Sequence, residues 1–542
     1  MSRREILLSV AAVFAVALVV RTVAASLVVF PQPEDTAYYV GVARNLLDGH
    51  GLTSNALWSY QTPPLSFPRP AFEVWLPLPT FLAAIPMAIF GPTFQAAQVS
   101  SVLVGSIVPV LAWRLGADAA IERGLSLGRT RVLALGAGLT SAVYLPLVLH
   151  SALPDSTMPF AALALAACVL MPRLLRDAGR LRLTDAKLIG LGVLIGVTAL
   201  ARNEAAFVGF AWVVAVWLAP ALDRRRKLAL IAVPAVVALA IFAPWMVRDW
   251  IEFHNPLPGQ ALSNALSVTG FDIFAWNDPP TLSRYLAVGP GRLLSMRVEG
   301  FGHNLFTVLL LPGIPAAFVG LIALPWFIRL RTLLPLAVLS ITTFAVTTLI
   351  FPVSTTWGTY LHAAGPAHVL LIVCALLALD AVIERVGRVR GWTKPVAWLG
   401  GTLTISGSLL FMAVLMPTFG GQSRGLAERY EALTERMAAL AMPLEDQGPI
   451  ITNFPIWLSE ATGVRALALP AESPADVLDL ASHFEGTRLL IVHGDDHGGW
   501  PAILGTNAPG ANCFHEIELS TPADPALARA LDNTHVYGLV CP

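Results

Sequence analysis

Long apolar runs recur from residue 6 to residue 416 and then give way to short alternating segments over 417–542. Runs at 6–30, 94–114, 132–150, 156–172, 187–201, 203–221, 228–247, 304–328, 332–351, 363–383 and 395–416 approach or reach bilayer-spanning length. The pattern predicts eleven spans, and so a polytopic α-helical membrane protein. Residues 71–90 are apolar too, but Pro77, Pro79 and Pro86 suit a regular spanning helix poorly. A helix lying along the membrane face is expected there instead. After 417, "GPIITNFP", "RLLIVHGD", "FHEIELS" and "HVYGLV" read as short strands, while 423–441 and 474–485 have helical spacing. The expected organisation is a membrane domain over 1–416, with a long first loop at 31–93, and a small α/β domain over 417–542.

Composition supports this division: 56% of the 542 residues are hydrophobic and only 13% charged, against roughly a quarter charged in soluble domains. Lys+Arg 35 balances Asp+Glu 35, so net charge says nothing about nucleic-acid or acidic partners, and no nucleic-acid partner is expected of a membrane protein of this kind. Charge distribution says more than net charge. Arg3 and Arg4, the Arg114–Arg131 stretch, Arg173 with Arg176, "DRRRK" at 223–227, Arg329 with Arg331, and Arg385–Arg390 all fall in alternate loops if 71–90 does not cross. Basic loops stay in the cytoplasm. Segments 31–93, 150–155, 201–203, 248–303, 352–362 and everything after 417 are then extracytoplasmic, in a multi-pass protein of the cell (plasma or inner) membrane. The apolar core of 1–30 is too long for a cleaved leader and reads as a retained anchor. Arg21 inside it calls for snorkelling or a buried ion pair. An extracytoplasmic domain permits a disulfide between Cys513 and Cys541, a tentative pairing; Cys168 and Cys374 lie in spans as packing residues.

Polar chemistry crowds the outer ends. In "PQPEDTAYYVGVARNLLDGHGL", 31–52, Tyr39, Val42, Leu46 and Leu47 mark a short amphipathic helix, with Asp35 where an N-cap belongs. Glu34 and Asp35 alone give too few ligands for a metal. In "SFPRPAFEVW" Arg69 is held between two prolines, as a phosphate grip or as an ordinary lipid-headgroup contact. Asp155 heads the helix after "LHSALPDSTMPF", as a cap or as a second carboxylate level with Asp35. Arg202 and Glu204 share a tight turn as a local ion pair. Arg248, Arg284, Arg292, Arg297 and His303 bring positive charge to 248–303, and Trp357, Tyr360 and His362 stand at a helix entrance. "GDDHGG" at 494–499 reads as a glycine-bounded turn rather than a metal loop. Carboxylates, arginines and aromatics at one membrane face suit a site handling a phosphate-bearing lipid.

The order of these motifs resembles the GT-C glycosyltransferases, particularly the polyprenyl-phosphate-sugar-dependent branch of protein O-mannosyltransferases and the lipid A aminoarabinose transferase. A basic N-terminal span is followed by "PEDTAYYVGVARNLLDGHGL", by "RP" opening an apolar surface helix ending "FG", then "LPDS", "ARNE" and a terminal α/β domain with "TNFP" and "ATGVRALALP". The resemblance implies transfer of a sugar from a polyprenyl-phosphate donor to a hydroxyl of an extracytoplasmic lipid, glycan or protein, by inverting displacement, in a monomer embedded in membrane lipids. It implies Asp35 as base and Asp155 as a second active-site acid. It implies Arg69, before Pro70, as a donor-phosphate ligand. Charge and position at the outer face make Arg202, Arg248 and Arg292 further candidate phosphate ligands, and Glu34, Tyr38, Tyr39, Glu204, His303, Tyr360 and His362 candidate substrate contacts. No residue set reads as a metal site, and no cofactor is required with certainty; a divalent metal stays open. The rival is a transporter or flippase of lipid-linked sugars, although such proteins place polar groups and broken helices at the midplane.

Overall fold

The computed structural model describes residues 2–179, 182–220, 222–392, 396–494, 496–519 and 525–541. Helix α1 (Arg3–Leu27) is capped by Ser2 in a reciprocal box with Glu5. A loop leads to α2 (Glu34–Leu47), then to β1 (Thr53–Ser54), β2 (Ala56–Leu57) and β3 (Arg69–Pro70), and on to α3 (Leu78–Phe90). The surface helix expected over 71–90 is therefore shorter. Proline is tolerated in a first turn, and the helix starts at Leu78 with Pro77 at its N-cap and Pro79 in its first turn. Phe81, Ile85 and Ile89 form an exposed apolar stripe along it.

The bundle continues with α4 (Phe94–Glu122), α5 (Leu127–Val143), α6 (Leu145–Leu149), α7 (Thr157–Asp177), α8 (Ala186–Ala199), α9 (Ala205–Trp217) and α10 (Arg224–Phe253). The short helices α11 (Ala261–Leu266) and α12 (Leu282–Ala287) precede α13 (Gly289–Gly302). After these come α14 (Ala316–Phe327), α15 (Leu334–Leu349), α16 (Thr359–Ala363), α17 (Gly365–Val389) and α18 (Trp398–Ala439). Among the described residues, six helices are long and apolar enough to cross a membrane, and the bent pair α5–α6 makes a seventh. This is a multi-pass membrane protein. Helices α8, α9, α14 and α15, where further spans are expected, are apolar but shorter, with 14, 13, 12 and 16 residues. At 1.5 Å per residue they rise about 18–24 Å against an apolar core of about 30 Å. Segment 304–328 is not one helix either. A π-helical stretch at His303–Leu310 ends before Pro312 and Pro315, and α14 starts only after them.

Neither reading of Arg21 holds. It is fully buried, and among the described residues it has no carboxylate partner. Pro146 lacks the N–H that the Ala142 carbonyl, four residues earlier, would accept. The chain bends by 58° between α5 and α6. Arg21 fills the gap, donating from Nη1 to the Ala142 carbonyl (3.0 Å), from Nη2 to Ser141 O (3.4 Å) and from Nε to Ser151 Oγ (2.9 Å). A span that would otherwise leave bare carbonyls in hydrocarbon is satisfied by a neighbouring helix.

Beyond the bundle lie β4 (Ile450–Thr452), α19 (Pro455–Thr462), β5 (Ala466–Ala468), α20 (Pro474–His483), β6 (Leu489–His493), β7 (Phe514–Glu516) and β8 (Thr534–Leu539). The expected strands are all present. One sheet has the order β2-β5-β4-β6-β8-β7, so a strand of the first loop forms its edge, parallel to β5 with Ala56 opposite Ala466 and Leu57 opposite Leu467. Helix α18 runs unbroken through 417, so the division expected at 416/417 falls inside a helix. Cys513 and Cys541 are disulfide-bonded, while Cys168 and Cys374 are free and buried. Within "GDDHGG", His497 is buried against the Leu469 carbonyl, and Asp495 lies outside the described residues. Where α18 leaves the bundle it is pinned to the end of α1. Ser423 Oγ accepts from the Val29 and Phe30 N–H groups (3.0 and 2.7 Å) and donates to the Phe30 carbonyl. Gly420 makes this approach possible, since a Cβ there would lie 2.7 Å from the Leu27 carbonyl.

Candidate active site

Four chain segments meet at the end of the bundle that carries the sheet. The first turn of α2 brings Asp35, the turn before α7 brings Asp155 to Thr157, the α8–α9 turn brings Arg202 and Glu204, and α16 brings His362. Asp35 does not cap its helix. Pro33 occupies the N-cap position and Asp35 stands inside the first turn, where the helix dipole favours a carboxylate. Its Oδ2 lies 3.0 Å from His362 Nε2. On the other side of that ring, Nδ1 contacts Thr157 Oγ1 at 2.8 Å and Asp155 Oδ2 at 3.6 Å. Asp155 accepts the N–H of Thr157, the first residue of α7, through Oδ1 (2.8 Å) and holds His150 Nδ1 at 3.3 Å through Oδ2. One imidazole thus bridges two carboxylates. Arg202 closes the site, paired with Glu204 through Nη2 and Nε (2.8 and 3.1 Å), and donating to Ser156 Oγ (2.9 Å) and the Thr359 carbonyl (3.3 Å). Tyr39, one turn after Asp35, is buried beside Ser156 and Arg202.

The electrostatics follow from burial competing with these contacts. Burial alone would lower the His362 imidazole, but Asp35 and Asp155 outweigh it and hold it at about 10. Burial would raise Asp35; the adjacent imidazolium keeps it below the usual carboxyl range, with Asp155 opposing. Asp155 is likewise opposed by burial, yet His150 and His362 hold it well below that range. The Asp35 side chain is 16% exposed, against 0% for Asp155 and 6% for His362. A reactant therefore meets Asp35 first.

No family model and no curated protein matches the sequence. Solved structures do. ArnT from Cupriavidus metallidurans bound to undecaprenyl phosphate matches with a TM-score of 0.53 at 16% identity, over 98% of this chain and 99% of that one. The oligosaccharyltransferase AglB from Archaeoglobus fulgidus, in complex with an inhibitory peptide and a dolichol-phosphate, matches with 0.51 at 13%, over 89% and 69%. An Archaeoglobus fulgidus oligosaccharyltransferase in complex with Zn and sulfate matches with 0.52 at 14%, over 92% and 71%. The chain has the GT-C fold. At these identities the likeness is one of fold.

Within this GT-C frame the residues singled out from sequence separate sharply. Asp35, Tyr39, Asp155, Arg202, Glu204 and His362 come together; the others do not. Arg69 is fully buried, with its guanidinium donating to the Thr62 carbonyl (2.7 Å), to the Pro64 carbonyl, and to Glu73 Oε1 (3.4 Å). Its donors serve its own loop. Arg248 pairs with Asp249 (3.0 Å) between the Trp245 and Phe253 rings, and Arg292 pairs with Glu299 (2.8 Å) on the surface. Tyr38 is buried, its hydroxyl accepting the Phe72 N–H at 2.6 Å while its ring packs on Trp75. Tyr360 is buried against Phe344. His303 opens the π-helical stretch. Glu34 turns to α19. His150, Ser156 and Thr157 complete the site without having been singled out; His150 five residues before Asp155 in "LHSALPDS" was the available signal.

Although the sequence shows no metal motif, the fold gathers His150, Asp155 and His362, whose ligand atoms lie within 4.8 Å of one another. Their separation in sequence hides the set. Two imidazoles with a carboxylate fit a zinc-like ion rather than magnesium or calcium.

Proposed function

We propose that the protein is a membrane glycosyltransferase that moves a sugar from a polyprenyl-phosphate donor to a hydroxyl of an extracytoplasmic acceptor. The observation that carries this reading is the partly exposed Asp35 carboxylate, backed by His362 and Asp155 and level with Arg202. Asp35 accepts the proton of the acceptor hydroxyl as that oxygen attacks the anomeric carbon. Its lowered pKa keeps it deprotonated at neutral pH. The leaving phosphate needs no separate acid, and a single displacement inverts the anomeric centre. Arg202 supplies positive charge to the phosphate as the bond breaks. A divalent ion held by His150, Asp155 and His362 would take the place of the proton between His362 and Asp155 and would supply Lewis-acid charge beside Asp35. The solved relatives bound to undecaprenyl phosphate and to dolichol-phosphate support a lipid-phosphate partner.

The site is assigned to the extracytoplasmic side because Arg129 (with Asp380 and Glu384), Arg173 and Arg226 mark the opposite end of the bundle. The test is Asp35→Asn in vesicles carrying undecaprenyl phosphate charged with radiolabelled sugars, with envelope extract as acceptor. Transfer is expected to fall by about 10²–10⁴-fold while undecaprenyl phosphate still binds. Wild-type turnover in that variant would remove Asp35 from the chemistry.

A further inference from the structure

Adjacent carboxylates on α2 face opposite ways. Successive helical residues diverge by about 100°, so while Asp35 and Tyr39 face His362 and Arg202, Glu34, Gly41 and Arg44 lie toward α19. Glu34 Oε1 accepts the Ile456 N–H at 3.1 Å, and the Trp457 N–H points at the same carboxyl. These are free donors of the first turn of α19. Nearly three turns on, Arg44 grips Glu460, from the last turn of α19, through two parallel hydrogen bonds of 2.8 Å. Between them Gly41 leaves room, since a Cβ there would stand 3.2 Å from Glu460 Oε2. The strand just beyond α2 completes the attachment by pairing β2 with β5.

We propose that Glu34 is a positioning residue, which anchors the first turn of α2 to α19 and so fixes where Asp35 stands relative to His362. The proposal rests on Asp35 as the reacting carboxylate. It makes the C-terminal sheet domain part of the active-site scaffold: α2 is clasped at both ends by α19, and only its opposite face meets the bundle site. The acceptor role does not require charge. Burial pushes the Glu34 carboxyl up to about 8, against the pull of the α19 amides and with a further push from Asp35. A neutral amide side chain therefore serves the same N–H groups.

The experiment compares Glu34→Ala and Glu34→Gln in full-length protein in the same donor vesicles, with amide hydrogen exchange as the second readout. Glu34→Ala is expected to lower kcat at least about tenfold with donor KM within about twofold, since an ångström of misplacement can cost about 10²-fold. Exchange at Ile456 and Trp457 should rise in it, and Glu34→Gln should restore both. If Glu34→Ala fails to fold, Arg44→Glu is expected to lower kcat and the double swap Arg44→Glu/Glu460→Arg to restore it. Wild-type kcat in Glu34→Ala despite faster exchange, or a change in KM alone, overturns the proposal. An active Asp35→Asn overturns the assignment of Asp35 instead, and exchange in Glu34→Ala still reports whether the clasp exists.

Discussion

Arg69, fully buried, and Arg202, half-buried, stand at the sheet-bearing end of the bundle and are satisfied in opposite ways. Arg69 is served by its own neighbourhood: the Thr62 and Pro64 carbonyls and Glu73 all lie within seven residues of it. Arg202 has one local partner, Glu204, and otherwise reaches Ser156 and Thr359 from two distant segments. A guanidinium used up by its own loop shapes that loop. One that ties three segments together beside Asp35 and Asp155 makes a site.

The largest effect expected from this contrast is on stability. Arg69→Met leaves Glu73, already with one unpartnered buried oxygen, without its cation, at a cost of about 3–5 kcal/mol. Thermal unfolding should show the loss, while the molecules that fold keep wild-type donor KM. A donor KM raised tenfold in well-folded protein would break the comparison and return Arg69 to the phosphate. Arg202→Met should fold and lose about 10²–10³-fold in kcat. Arg292→Ala, its surface control, should stay within about twofold in kcat/KM, in line with surface changes of about 0.5 kcal/mol.

The most diagnostic effect is in pH. The pKa of His362 is raised from an ordinary 6.5 to about 10, so its ion pairs stabilise the fold fully below 6.5 and are lost as pH rises through 10. Asp35 is lowered from 3.8, so its share is present above 3.8 and lost as pH falls through its folded value. His362→Gln removes the cation that keeps Asp35 ionised, leaving burial and Asp155 to push it up. The acidic limb of the kcat profile should move to higher pH by about one unit or more, a change worth about 1.4 kcal/mol per unit. An unmoved limb would mean that a group other than Asp35 sets it.

Local pattern was readable; long-range pairing was not. The apolar runs announce helices, and the C-terminal strands sit where alternation puts them, because each signal is contained in a few consecutive residues. Spans are another matter: an apolar run of bilayer length can hold a shorter helix, as 304–328 does with α14, once prolines and turns claim its ends. Asp35, Asp155, Arg202 and His362 were each visible as polar residues at a segment end, yet nothing in their spacing says that one imidazole joins two of them. Glu34 and Asp35 look equivalent in sequence, and only the fold decides which faces the bundle and which faces α19. Arg69 looks presented in sequence because prolines bracket it, whereas in the fold the carbonyls of its own loop take its donors.

The unbroken α18 has a mechanical consequence. From Gly420, where it touches α1, to Ala439 it extends about 28 Å at 1.5 Å per residue, so a tilt of about 5° at the contact displaces its far end by roughly 2.5 Å. The contact at Gly420 therefore fixes the sheet domain's position as well as the last span's, and through α19 that of the helix that carries Asp35.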